Sequence, residues 1–111
     1  MGVMVVACYR PKPGRADALE ALLRAHLPTL RREGLVGDGP ALCGRAADGT
    51  YVEVFRWRSA GAIDAAHANP AVVALWERFG EVCDFVPVAE IEEAGRPFSP
   101  FAPVDLERTT P

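Results

Sequence analysis

Seven consecutive residues near the start of the chain, Val3-Met4-Val5-Val6-Ala7-Cys8-Tyr9, are apolar without interruption. Side chains along a strand alternate between two faces, so a run with no polar alternation predicts a strand covered on both sides. The run is too short to span a membrane and lacks the cationic start and small-residue cleavage site of a signal peptide. Whatever this chain folds into must therefore supply a layer above that strand and another below it.

Pro11, Pro13 and Gly14 break the strand, and good helix formers run from Ala16 to about Arg32, with Pro28 predicting a kink or an early end. Leu19, Leu22, Leu23, His26, Leu27 and Leu30 recur at helical spacing and form one stripe. Gly34, Gly37, Asp38 and Gly39 close the helix and lead to a weak strand over Ala41 to Ala46, followed by a hairpin turn at Asp48-Gly49. The next strand, Tyr51-Val52-Glu53-Val54-Phe55-Arg56-Trp57, puts Tyr51, Glu53, Phe55 and Trp57 on one face. Ser59 is a plausible N-cap, and Asn69-Pro70 supplies a second cap with proline at the first helical position, so a broken helix is expected. Ile63 and His67 share a face of its first piece; Val72, Trp76, Phe79 and Cys83 share one in the second. Phe85 to Ile91 reads as a last strand. Arg96 to Pro111 carries four prolines and no periodicity, and reads as a tail that drapes over a partner or hangs loose.

The order β-α-β-β-α-β predicts an α+β, ferredoxin-like domain over residues 1–95, a four-stranded antiparallel sheet with its helices on one face, followed by a Pro-rich tail over 96–111. A length of 111 residues suits one such domain. The other sheet face is left open, although the first and third strands are apolar on both faces. A homodimer through that open face is the natural cover. RNA-recognition modules share this chain order, but the third strand lacks their basic, glycine-rich start and carries Glu53, which would repel phosphate. A formal charge of -3 and a pI near 5.3 give no electrostatic footprint for nucleic acid or an anionic membrane, and the first apolar run, neither a span nor a signal peptide, leads to the expectation of a cytoplasmic protein. Cys8, Cys43 and Cys83 stand at wide spacings that fit neither a disulfide framework nor a C-x-x-C motif, and read as small buried hydrophobes.

Tyr51-Val52-Glu53-Val54-Phe55-Arg56-Trp57-Arg58-Ser59, Ala66-His67-Ala68-Asn69-Pro70 and Trp76-Glu77-Arg78-Phe79 resemble the antibiotic biosynthesis monooxygenase-like family, part of the dimeric α/β-barrel superfamily. The resemblance extends over about residues 3 to 91, including the Pro13-Gly14 turn. It implies a homodimer with sheets packed face to face and a separate cleft in each subunit between sheet and helices. Family members include quinone-forming oxygenases of polycyclic aromatics that need no metal or flavin, and haem-degrading enzymes. The haem-degrading branch relies on an Asn, a Trp and a His; by the resemblance those sites fall near Ala7, Ala66 and Trp76, and none of the three matches.

If the Glu53 face looks at the helices, Glu53 converges with His26 and His67. A buried carboxylate beside an imidazole can trade a proton, since burial raises a carboxyl pKa and a nearby imidazolium lowers it. His67 is the preferred base with Glu53 orienting it, and His26 is a further candidate. Trp76, Trp57, Phe55, Tyr51 and Phe79 are the candidate substrate-binding residues, suited to stacking on a flat apolar molecule. A deprotonated phenolic or anthrone-like substrate can react with oxygen directly, so the reading is a cofactor-independent monooxygenase for a small aromatic or polyketide-like substrate. Plainer alternatives stand beside it: histidines on apolar stripes bonded into the core, Glu53 paired with Arg10 or Arg45, and aromatic residues that only pack. A two-histidine, one-carboxylate metal site would require all three groups within coordination distance, and no spacing demands it. An isomerase or cyclase using the same cleft, or a non-catalytic ligand-binding or stress-related dimeric module, are the competing functions.

Overall fold

The computed structural model describes residues 2–107. Strand β1 (Val3–Pro11) is followed by helix α1 (Ala16–Arg32), strands β2 (Leu42–Arg45) and β3 (Tyr51–Trp57), helices α2 (Ala60–His67) and α3 (Pro70–Val82), strand β4 (Cys83–Val86) and a short strand β5 (Ala102–Pro103). The strands form one sheet in the order β4-β1-β3-β2-β5, and every pairing is antiparallel. This is the ferredoxin-like α+β plan with a fifth strand added at the edge.

Local chemistry accounts for the helices. The Ser59 side chain accepts from the Ala62 amide, and Asn69 accepts from those of Ala71 and Val72, with Pro70 at the start of α3. The expected break between α2 and α3 falls between these caps. Pro28 does not end α1. It stands on the exposed side, where water can satisfy the carbonyl its ring leaves without a donor, while Leu27 and Leu30 stay buried on either side of it.

Register decides what the helices see. Val3, Val5, Ala7 and Tyr9 of β1 lie opposite Trp57, Phe55, Glu53 and Tyr51 of β3, and Cys43 of β2 lies opposite Glu53. This set faces α1, α2 and α3. Tyr9 and Tyr51 join Leu19, Leu23, Leu75 and Phe79 in one core, while Phe55 and Trp57 join Leu27, Leu30, Val36 and Val72 in another.

Three expectations are corrected. The last strand is not Phe85 to Ile91: it begins at Cys83 and stops at Val86, because Pro87 has no amide hydrogen to continue the ladder, and two short 3₁₀ turns follow. Nor does the segment after Arg96 hang loose, as far as Glu107. Ala102–Pro103 pairs with β2, and the Val104 amide donates to the Cys43 carbonyl; the end of that tail, 108–111, lies outside the described residues. The open sheet face is also not bare throughout. Cys8 and Val52 are buried there beneath Ile91 and Phe101, which leaves Met4, Val6 and Leu42 exposed at the other end.

Candidate active site

β3 carries its only carboxylate into the core. Glu53 is 0 % exposed, a costly position for a charged group unless hydrogen bonds replace its water. Two donors do so. The Tyr9 hydroxyl donates to Oε1 at 2.7 Å, and His26 Nδ1 lies 2.9 Å from Oε1 and 3.2 Å from Oε2. His26 comes from the buried stripe of α1, so the expected convergence of that stripe with the Glu53 face is observed.

The other ring nitrogen of His26 is engaged as well. Trp76 Nε1, on α3, lies 3.0 Å from His26 Nε2. An indole nitrogen can only donate, so Nε2 is the acceptor; the imidazole is then neutral, with its proton on Nδ1 and given to Glu53. Trp76, His26, Glu53 and Tyr9 thus form one chain of hydrogen bonds across α3, α1, β3 and β1, in which His26 and Tyr9 both donate to Glu53. Burial, and after it the charge and hydrogen bond of Glu53, holds the Tyr9 phenol well above its ordinary pKa.

A cavity of about 410 Å³ opens beside this chain. His26 and Trp76 lie in its wall with Phe55, Trp57, Tyr9, Phe85 and the apolar side of β1, and Ile63 and His67 stand at the α2 side. The opening follows from strand lengths: β4 pairs with β1 only from Cys8 to Pro11, leaving that edge of β1 uncovered from Val3 to Ala7. A larger hollow of about 560 Å³ lies on the opposite sheet face near Val6, Val52 and Phe101, but no histidine or carboxylate lines it.

The candidate residues separate into three groups. His26, Glu53 and Trp76 are directly linked, and Phe55 and Trp57 line the cavity. Tyr51 and Phe79 are sealed behind it: the Tyr51 hydroxyl donates to Glu20, and Phe79 stacks on Tyr9 with ring centroids 5.2 Å apart. His67 does not meet Glu53. It is exposed, its Nδ1 is 2.8 Å from the Ile63 carbonyl one helical turn back, and its ring packs edge-on to Trp76. Glu53 pairs with neither Arg10 nor Arg45; Arg10 reaches Asp48 and Glu90 instead. Among the described residues no group of three or more His, Cys, Asp or Glu side chains could hold a metal ion. The thiols stay protonated: burial, with the charges of Glu53 and Glu20, pushes Cys43 up to about 12, and burial and Asp84 push Cys83 up to about 11.

Tyr9 and Phe85 were not among the residues singled out from sequence. Alternation along β1 places Tyr9 on the same face as Ala7, but only the pairing of Tyr9 with Tyr51 brings it beside Glu53. Phe85 follows from the β4 register, in which it lies opposite Tyr9.

Comparison with known proteins places the fold in a family. A family model described as antibiotic biosynthesis monooxygenase matches residues 2–78, which spans Tyr9, His26, Glu53 and Trp76. The structure of Rv0793 from Mycobacterium tuberculosis superposes with a TM-score of 0.63 at 28 % identity, covering 78 % of this chain and 89 % of that one. Among curated proteins there is no significant match.

Proposed function

We propose that this chain, which belongs to the antibiotic biosynthesis monooxygenase family, is a cofactor-independent oxygenase for a small aromatic or polyketide-like substrate. The observation that carries the proposal is the His26–Glu53 hydrogen bond of 2.9 Å in the wall of an aromatic cavity. His26 Nε2 takes a proton from an activated C–H or phenolic O–H of the substrate. Glu53, already bonded to Nδ1, holds the ring in the tautomer with Nε2 unprotonated, an acceptor that the substrate takes over from Trp76, and stabilises the imidazolium that forms. The resulting carbanion gives its electrons to dioxygen and a peroxide forms at carbon. Loss of water then leaves a carbonyl, so a CH2 group and O2 become C=O and H2O, and the proton on His26 leaves with the water.

Phe55, Trp57 and Trp76 suit a flat ring, with each aromatic contact contributing on the order of 1 kcal/mol beyond burial. The base in this reading is His26 rather than His67, whose ring is exposed and bonded to its own helix. Exposed Met4 and Leu42, on the open sheet face, support a homodimer assembled through that face. Three free thiols suit a reducing, cytoplasmic setting, and no described helix is long and apolar enough to cross a membrane.

Oxygen uptake with a panel of anthrones and naphthols tests the proposal. His26→Gln and Glu53→Gln should each lower kcat by about 10²- to 10⁴-fold with the circular dichroism unchanged. Full activity in both variants would overturn it. A second reading, a ligand-binding module without chemistry, is favoured by one observation: both nitrogens of His26 are already bonded, as in a closed core network. Under that reading the cavity binds the same compounds with no oxygen consumed.

A further inference from the structure

We infer that the Trp76 indole N–H occupies the place of the ligand's own hydrogen-bond donor, so that the cavity admits an apolar ring bearing a hydroxyl or similarly acidic hydrogen and discriminates against the same ring without one. The inference rests on the proposed aromatic-ligand cavity and specifies what the ligand must carry.

With the proton on Nδ1, His26 has a single acceptor site, Nε2, and Trp76 fills it at 3.0 Å. Two other polar groups in the cavity wall are committed elsewhere. The Tyr9 hydroxyl is given to Glu53, and His67 Nδ1 is bonded to the Ile63 carbonyl. A ligand that enters far enough to reach the dyad must therefore replace the indole N–H. A donor replaces it with an equivalent bond. An ether or a carboxylate leaves Nε2 without a partner, and a carboxylate also brings negative charge toward Glu53.

A single hydrogen bond holds the polar end of Trp76, whose ring also packs against both core clusters on the helix side. The residue is half-buried, and among the described residues its indole nitrogen bonds only to His26. Its remaining neighbours at the cavity are ring contacts: His67 at 5.1 Å and 63°, Trp57 at 6.4 Å and 87°. Edge-to-face contacts of this kind tolerate a change of angle more readily than a hydrogen bond does. Trp76 is accordingly a specificity-determining residue, acting through the acceptor it covers.

The chain has two tryptophans, so a ¹H–¹⁵N spectrum holds two indole signals, and Trp76→Phe identifies which is which. The probes are 2-naphthol and its methyl ether, 2-methoxynaphthalene. In the unsubstituted protein naphthol should move the Trp76 indole signal toward the position and solvent-exchange rate of a free indole, while the ether leaves it in place. In Trp76→Phe the affinity ratio of naphthol to ether should rise about tenfold, because no internal donor competes. The inference is overturned if naphthol binds with the Trp76 signal unmoved, or if the ratio is unchanged in the variant. Failure of both probes to perturb any cavity residue would bring down the aromatic cavity itself, an outcome separable from the other two.

Discussion

Tyr9 and Glu53 stand diagonally across the β1–β3 ladder, since Tyr9 lies opposite Tyr51 and Glu53 opposite Ala7, and the Tyr9 hydroxyl reaches across to Oε1 at 2.7 Å. Ala7 makes that reach possible: a larger residue opposite Glu53 would occupy the space between phenol and carboxylate. The buried carboxylate is held from the sheet by Tyr9 and from α1 by His26, so its position does not depend on the cavity being filled.

Removing the phenol separates the contribution of that bond. Tyr9→Phe keeps the ring stacked on Phe79 and takes one donor from a sealed carboxylate, which should cost about 1–3 kcal/mol. Urea denaturation measures it. A loss below about 0.5 kcal/mol, on the order of measurement error, would mean that Glu53 finds another donor.

Stability should fall on the alkaline side. Burial raises the Cys83 thiol from 9.0 to about 11 and the Cys43 thiol from 9.0 to about 12, and burial with the Glu20 hydrogen bond raises the Tyr51 phenol from 10.0 to about 12. In each case the folded chain keeps a proton that the unfolded chain gives up. The stabilisation is therefore complete below pH 9 and is lost progressively as pH rises toward the folded values. Urea midpoints taken at pH 8, about 9.5 and about 10.5 should decrease in that order, and Cys83→Ala should flatten the first part of the decline.

The tail is bound through a glycine. A Cβ added at Gly44 would come within 2.7 Å of Phe101 Cβ, and this close crossing lets the segment around β5 lie against β2. Gly44→Val should displace the tail, uncover Cys8 and Val52, and speed chymotrypsin cleavage after Phe98 under native conditions. Phe101→Ala should have the same effect through lost packing, at about 2–4 kcal/mol for a large apolar side chain removed. Unchanged proteolysis in both variants would mean that the β2–β5 pairing holds the tail without Phe101.

What the sequence makes legible divides by range. The α1 stripe from Leu19 to Leu30 and the caps at Ser59 and Asn69 rest on residues a few positions apart, and each is found where it is expected. Glu53 facing the helices is one of two possibilities that alternation leaves open, and the β1–β3 register selects it. His26 and His67 both lie on helices beside apolar residues, and helical spacing cannot rank them. The difference is that α1 crosses behind β3, whereas His67 is the last residue of α2 and is exposed. The end of β4 is legible in principle, since Pro87 is visible in the sequence, but the apolar run on either side of it outweighs that one residue.

The exposed end of the open sheet face yields the last prediction. Met4 is 70 % exposed and Leu42 68 %, and between them lie Val6 and Val54, which are opposite each other in the ladder. Leu42 is in turn opposite Val54, so a single cross-strand row of Val6, Val54 and Leu42 presents only carbon to solvent, beyond the point where the tail's cover ends. Leu42→Asp puts a charge at the end of that row without disturbing the helix side, where Glu53 and His26 sit. If two copies associate through this face, sedimentation equilibrium should give a dimer for the unsubstituted chain and a dissociation constant weakened at least about tenfold for the variant, because an unpaired buried charge costs several kcal/mol. The melting temperature of the variant should then depend on protein concentration less steeply than that of the unsubstituted chain, whose dimer is stabilised by mass action. A chain that sediments as a monomer at all concentrations, with Leu42→Asp no different, would assign the row to some other occupant and leave the cavity complete within one subunit.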